Sequence, residues 1–145
     1  MSEIVVVGVD GSDNADEALR WALDYARDRA ATIRLTTAWA WDEVVGPPGA
    51  RFPVETRDEA EARADQLLDE VLERVSVGEV QVERVRELGR PSEVLLAEAE
   101  DADLLVVGSR GRGGFAGLLL GSVSQQCVTH ARCPVVVVPQ AERAN

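Results

Sequence analysis

Short runs of consecutive apolar residues constrain this chain more than any other feature. Ile4-Val5-Val6-Val7-Gly8-Val9, Leu104-Leu105-Val106-Val107-Gly108 and Val135-Val136-Val137-Val138 are unbroken by polar side chains. A strand with one face in water alternates apolar and polar residues. An unbroken run fits a strand buried on both faces, as in a parallel sheet. Ile33 to Trp41 reads as a further strand, and Val80, Val82 and Val85 suggest another with a less clean pattern.

Helical spacing fills the intervals between these runs. After the turn Asp10-Gly11-Ser12-Asp13-Asn14, where Ser12 or Asn14 is available as a cap, Ala15, Ala18, Leu19, Ala22 and Ala26 mark one helix face. From Glu55 to about Val75, residues Ala60, Ala64, Leu67, Leu68, Val71 and Val75 mark a second. Eight acids and three arginines cover most of the rest of that helix, the pattern of a solvated face. Gly89-Arg90-Pro91-Ser92 turns into a third helix ending near Glu100-Asp101, and a fourth begins near Ser122. Residues 42–54 hold Gly46, Pro47, Pro48, Gly49 and Pro53 and read as a loop. The order β-α-β-α-β-α-β-α-β predicts an α/β fold: a doubly wound, five-stranded, mainly parallel sheet with helices on both faces. One domain over residues 1–145 is expected.

Composition narrows the chemistry. The chain has 26 acidic and 15 basic residues, a formal net charge of −11, and every basic residue is arginine. Without lysine there is no Walker-type phosphate loop and no Schiff-base chemistry. His130 alone cannot build a histidine metal cluster. The acidic balance argues against nonspecific nucleic-acid binding, which needs cations to displace counterions from phosphate. Met1-Ser2-Glu3 lacks the basic start of a signal peptide, and the apolar runs fall far short of the roughly 20 residues needed to span a bilayer. Cys127 and Cys133 are not a disulfide framework, and both read as small buried hydrophobes near the last helix. A cytoplasmic protein, away from membranes, is expected.

The segment Gly108-Ser109-Arg110-Gly111-Arg112-Gly113-Gly114-Phe115-Ala116-Gly117-Leu118-Leu119-Leu120-Gly121-Ser122-Val123-Ser124 follows a buried strand and ends at a helix start. In an open α/β sheet that is the edge where ligands bind. Glycine amides can face phosphate oxygens, the helix N-terminus favours an anion, Ser122 and Ser124 add hydroxyls, and Arg110 and Arg112 add positive charge. The same residues also suit a flexible loop with a capping serine, its arginines in solvent or paired with acids. Asp10 ends the first strand. If that strand neighbours the Leu104–Gly108 strand with the order reversing between them, Asp10 and Gly108 face each other across a crevice. There a carboxylate can accept from ribose hydroxyls or help hold magnesium, or serve only as a turn residue. The second strand ends beside the same crevice, so the Ala38 backbone could read a base edge. Trp39 and Trp41 fit core packing better than base stacking. His130, near a helix end, reads as a surface or dipole partner.

Ile4 to Ser12, Ala18-Leu19-Arg20-Trp21-Ala22, Leu104 to Gly108 and Cys133 to Val137 resemble the universal stress protein family over essentially the whole length. The wording is most similar to actinobacterial members. Gly108, Gly111, Gly121 and Ser122 satisfy the glycine, two residues, glycine, nine residues, glycine-serine pattern of the ATP-binding branch. The resemblance implies Asp10 and Gly108 at the ribose, the Ala38 backbone at adenine, and Gly111, Gly121, Ser122 and Ser124 at the phosphates. Val9, Arg110, Arg112 and Val123 complete the implied site. Ala15 stands where many relatives carry a small hydroxyl residue, and Arg110 fills a variable position.

The resemblance implies ATP with magnesium, a stress-response regulator acting on an unidentified protein partner, and a homodimer paired through Val135–Val138. An apolar edge there agrees, unless helices and the tail cover it. No dedicated catalytic base is visible, so slow ATP hydrolysis is the most that is expected. The alternatives are a cyclic AMP-binding module and a nucleotide-independent, chaperone-like homodimer.

Overall fold

The computed structural model of the chain describes residues 2–41, 43–45, 51–53, 55–110 and 120–141. Along the chain run β1 (Ile4–Gly8), α1 (Asp13–Arg27), β2 (Thr32–Trp39), β3 (Glu43–Val45), β4 (Arg51–Pro53), α2 (Arg57–Arg74), β5 (Gln81–Leu88), α3 (Pro91–Glu98), β6 (Leu104–Gly108), α4 (Ser122–His130) and β7 (Val135–Val138). Five strands form one sheet in the order β5-β2-β1-β6-β7, and each neighbouring pair is parallel. The expected doubly wound fold is present.

The unbroken apolar runs are explained by their two faces. Val5 and Val7 of β1 pack with Leu19 and Leu23 of α1 and Leu68 and Val71 of α2, while Val6 points the other way, toward Leu95 of α3 and Cys127 of α4. Leu104 and Val106 join the first layer, Leu105 and Val107 the second. Successive side chains on a strand alternate sides, so a strand between two helical layers needs an apolar residue at every position. Each such burial contributes on the order of 1.5–3 kcal/mol.

Several boundaries differ from the sequence reading. β2 ends at Trp39, and the indole N–H of Trp41 instead donates to the Glu55 carbonyl at 2.7 Å. α2 starts at Arg57 because Thr56 is its N-cap, accepting from the Glu59 amide at 3.1 Å. α3 stops at Glu98 and tightens into a 3₁₀ turn at Ala99–Asp101. Residues 42–54, read as a loop, contain β3 and β4, an antiparallel pair with Glu43 opposite Pro53 and Val45 opposite Arg51. Both strands of a two-stranded ribbon are edges, so Pro53 is tolerated there.

The charge run on α2 is not simply solvated. Arg86 of β5 pairs with Glu61 and Asp65 at 2.7 and 2.5 Å, and Arg84 pairs with Asp69 at 2.5 Å. β5 is an edge strand, so its exposed positions carry charge rather than valine. At the other edge lies β7, whose four valines are all half-buried.

Candidate functional site

Strand order reverses between β1 and β6: the chain proceeds from β1 to β2 on one side and reaches β6 and β7 on the other. Carboxyl ends of parallel strands splay at such a point and leave a crevice. A cleft of about 350 Å³ opens there, within the usual size of small-molecule sites. Gly8, Val9 and Asp10 supply one wall, Thr36, Thr37 and Ala38 a second, and Val107, Gly108 and Arg110 a third; Gly121 to Ser124 at the head of α4 close it.

The fold therefore brings together Val9, Asp10, Ala38, Gly108, Arg110, Gly121, Ser122, Val123 and Ser124, all singled out by sequence. Gly111 and Arg112 lie outside the described residues. Asp10 sits in a tight turn. Its Oδ1 accepts from the Ser12 amide at 2.9 Å and from the Ser12 hydroxyl at 2.5 Å. Ser12, in turn, is the N-cap of α1, accepting from the Ala15 amide at 3.2 Å. The turn and cap roles of this segment thus coexist with a place in the cleft.

At the head of α4, Gly121 is the N-cap and supplies no side chain, and the first turn contains no acid. The first amides of a helix have no acceptor within it, so the Ser122 and Val123 N–H groups and the helix dipole favour an anion at this wall. Ser122 is exposed. Ser124 differs: it is 2% exposed, and its hydroxyl is within 3.0 Å of both the Ser109 and Gly121 carbonyls. Its hydroxyl braces the loop from beneath.

Three contributions were not visible in the sequence. Arg63 and Leu67 of α2 line the cleft, although their helix reads as an outer, charged one. Their spacing of four residues beside Ala60 and Ala64 is the signal, since it puts them on the edge of the buried face. Arg63 is paired with Glu55 at 2.5 Å. Pro91 and Leu95 of α3 add an apolar floor. The third is Asn14, read only as a possible cap. It is 2% exposed, its Oδ1 accepts from the Arg110 amide at 2.8 Å, and its Nδ2 donates to the Val138 carbonyl at 3.1 Å.

Trp39 is buried against Ala60 and Ala64, so it is core, with Trp41 packed beside it. His130 is the exposed last residue of α4. Cys127 is buried and Cys133 half-buried, and neither lines the cleft. Burial pushes the Cys127 thiol up to about 11 and also raises that of Cys133. Among the described residues there is no group of three or more His, Cys, Asp or Glu placed to hold a metal ion.

The sequence profile described as the universal stress protein family matches residues 1–139. The chain belongs to that family. A universal stress protein of Mycobacterium tuberculosis is 40% identical over 137 residues, covering 94% of this chain and 45% of the relative. The chain thus spans less than half the length of that relative. Among solved structures, a universal stress protein in complex with cAMP is similar at a TM-score of 0.72 and 30% identity, covering 97% of this chain and 98% of that one. A universal stress protein from Archaeoglobus fulgidus in complex with dAMP shares the fold at a TM-score of 0.68 and 24% identity, covering 95% and 98%. No described helix of this universal stress protein is long and apolar enough to cross a membrane.

Proposed function

We propose that this chain is an adenine-nucleotide-binding regulatory protein of the cytoplasm, with ATP as its occupant. The observation that carries the reading is the convergence of Asp10, Gly108 and the uncapped head of α4 on one cleft at the strand-order reversal. The ribose hydroxyls would meet Asp10 and Gly108, adenine the Ala38 backbone, and the phosphates the amides of Ser122 and Val123, with Gly121, Gly111 and the arginines alongside. Magnesium fits this donor set only as a phosphate-bound ion, because Asp10 is the one carboxylate among the described residues of the cleft wall. Bound there, the ion would neutralise phosphate charge.

Such a site holds a nucleotide with backbone amides and hydroxyls. Regulation then follows from differential affinity: a ligand that prefers one arrangement of the loop shifts the surface that a partner protein reads. The exposed edge of β7 suits pairing with a second copy of the chain.

Cyclic AMP is the second reading, favoured by the ligand of the 30% identical relative. One phosphate would engage less of the loop. Denaturing the purified protein and identifying any released molecule by mass spectrometry tests what it carries. Titration calorimetry with ATP and cyclic AMP, on the intact chain and on Gly121→Val, tests the site. The substitution puts an isopropyl group on a buried residue of the cleft wall and should abolish measurable ATP binding. An affinity for ATP that survives it sinks the assignment, and tighter binding of cyclic AMP by the intact chain replaces ATP with the second reading.

A further inference from the structure

The carboxamide of Asn14 stands where three parts of the fold meet. It projects from the first turn of α1, it lies behind the cleft segment Gly108–Arg110, and it touches the end of the edge strand β7. Its Oδ1 accepts from the Arg110 amide at 2.8 Å and from the Ser109 hydroxyl at 3.3 Å. Its Nδ2 donates to the Val138 carbonyl at 3.1 Å. These partners determine the orientation of the group, since a flipped amide would set N–H against N–H and oxygen against oxygen.

Ser109 carries the connection further. Its amide donates to the same Val138 carbonyl at 2.8 Å, and its hydroxyl accepts from the Gln140 amide at 3.2 Å. On the opposite side its carbonyl accepts from the Gly121 amide at 2.6 Å and from the Ser124 hydroxyl. One residue therefore holds the head of α4 with its carbonyl and the end of β7 with its amide and hydroxyl. Asn14 determines where that hydroxyl points. Ser109 and Asn14 are 8% and 2% exposed, so water does not replace a lost bond cheaply.

We propose that Asn14 and Ser109 are positioning residues that transmit occupancy of the cleft to the end of β7. A ligand at the head of α4 pins Gly121 and Arg110, which pins Ser109 between them. The Ser109 hydroxyl, oriented by Asn14, then holds the Gln140 amide, while the Ser109 amide and the Asn14 carboxamide hold the Val138 carbonyl at the edge where a second copy would pair. The inference rests on the nucleotide reading of the cleft, because it needs an occupant there.

Amide hydrogen exchange followed by NMR, with and without saturating MgATP, tests it. In the intact chain ATP should slow exchange of the Gln140 amide by about fivefold or more, the lower end of ordinary coupling between sites. In Asn14→Ala that response should vanish while ATP still slows the Ser122 and Val123 amides. If Asn14→Ala does not fold, Ser109→Ala removes the hydroxyl alone and should likewise lose the response at Gln140. A Gln140 response equal to that of the intact chain in either alanine variant overturns the relay and leaves the nucleotide site standing. An intact chain in which ATP protects neither Val123 nor Gln140 overturns the nucleotide reading and the relay together.

Discussion

Asn14 fills the space that a side chain on Gly108 would need: a Cβ built there would lie 2.7 Å from the Asn14 Oδ1 and 3.0 Å from its backbone oxygen. The first glycine of the loop pattern is thus required by a neighbour inside the protein, whatever the cleft holds. The Asn14 carboxamide is held by three hydrogen bonds and cannot swing aside. Gly108→Ala should therefore cost about 2–3 kcal/mol, the upper part of the overpacking range. Gly8 offers a control. A Cβ there would also fall 2.7 Å from its nearest neighbour, but that neighbour is a terminal methyl of Leu95, which can shift. Gly8→Ala should cost about 1 kcal/mol. Urea midpoints of the two variants check the difference, and equal losses would contradict it.

The bidentate pair between Arg74 of α2 and Asp16 of α1, at 2.9 and 3.3 Å, ties the two helices on one face of the sheet. The Asp16 side chain is nearly buried, whereas Arg74 is 44% exposed, so water screens part of the attraction. Arg74→Met strands the carboxylate and should destabilise the fold by about 1–2 kcal/mol. Asp16→Asn should cost less, because no buried charge is left unpaired. Chemical denaturation of both variants and of the double variant measures the coupling.

Cys127 offers a test with a defined pH window. The ordinary thiol value of 9.0 is pushed up to about 11 by burial, so the folded state prefers the neutral thiol. Below pH 9 both states are protonated and the preference has no effect. Between pH 9 and 11 the unfolded chain ionises first, and stability falls as pH rises, by about 2–3 kcal/mol in all. Cys127→Ala should flatten that part of the stability curve. At pH 8 iodoacetamide should label half-buried Cys133 before Cys127, a difference that urea abolishes.

Edge pairing through β7 has its own consequence. The Pro134 and Val138 carbonyls accept from the amides of Leu105 in β6 and of Ser109 just beyond it, so the alternate residues Val135 and Val137 turn their backbone groups outward. Val137→Pro removes an outward N–H while leaving the β6 ladder intact. Sedimentation equilibrium should show a dimer for the intact chain and a monomer for the variant at the same concentration. A monomeric intact chain would refute pairing through this edge.

The sequence by itself determined the layering and the place of the cleft. Apolar runs such as Val5-Val6-Val7 have to be covered on both faces, and that requirement alone selects a parallel sheet between helices. Gly108, Gly121 and Ser122 could be assigned to one sheet edge because a strand precedes them and a helix follows. Only the tertiary structure decided which groups face the cleft and which brace it. Ser122 and Ser124 look equivalent in the sequence, yet one is exposed at the head of α4 while the other points its hydroxyl at two carbonyls. Arg63 comes to the cleft from a helix 45 residues before Gly108. Asn14 reaches Val138 across 124 residues. Patterns along a chain report periodicity and local turns, but contacts of that separation exist only once the strands have taken their order. The reversal between β1 and β6 is what brings Asn14, Ser109 and Val138 together.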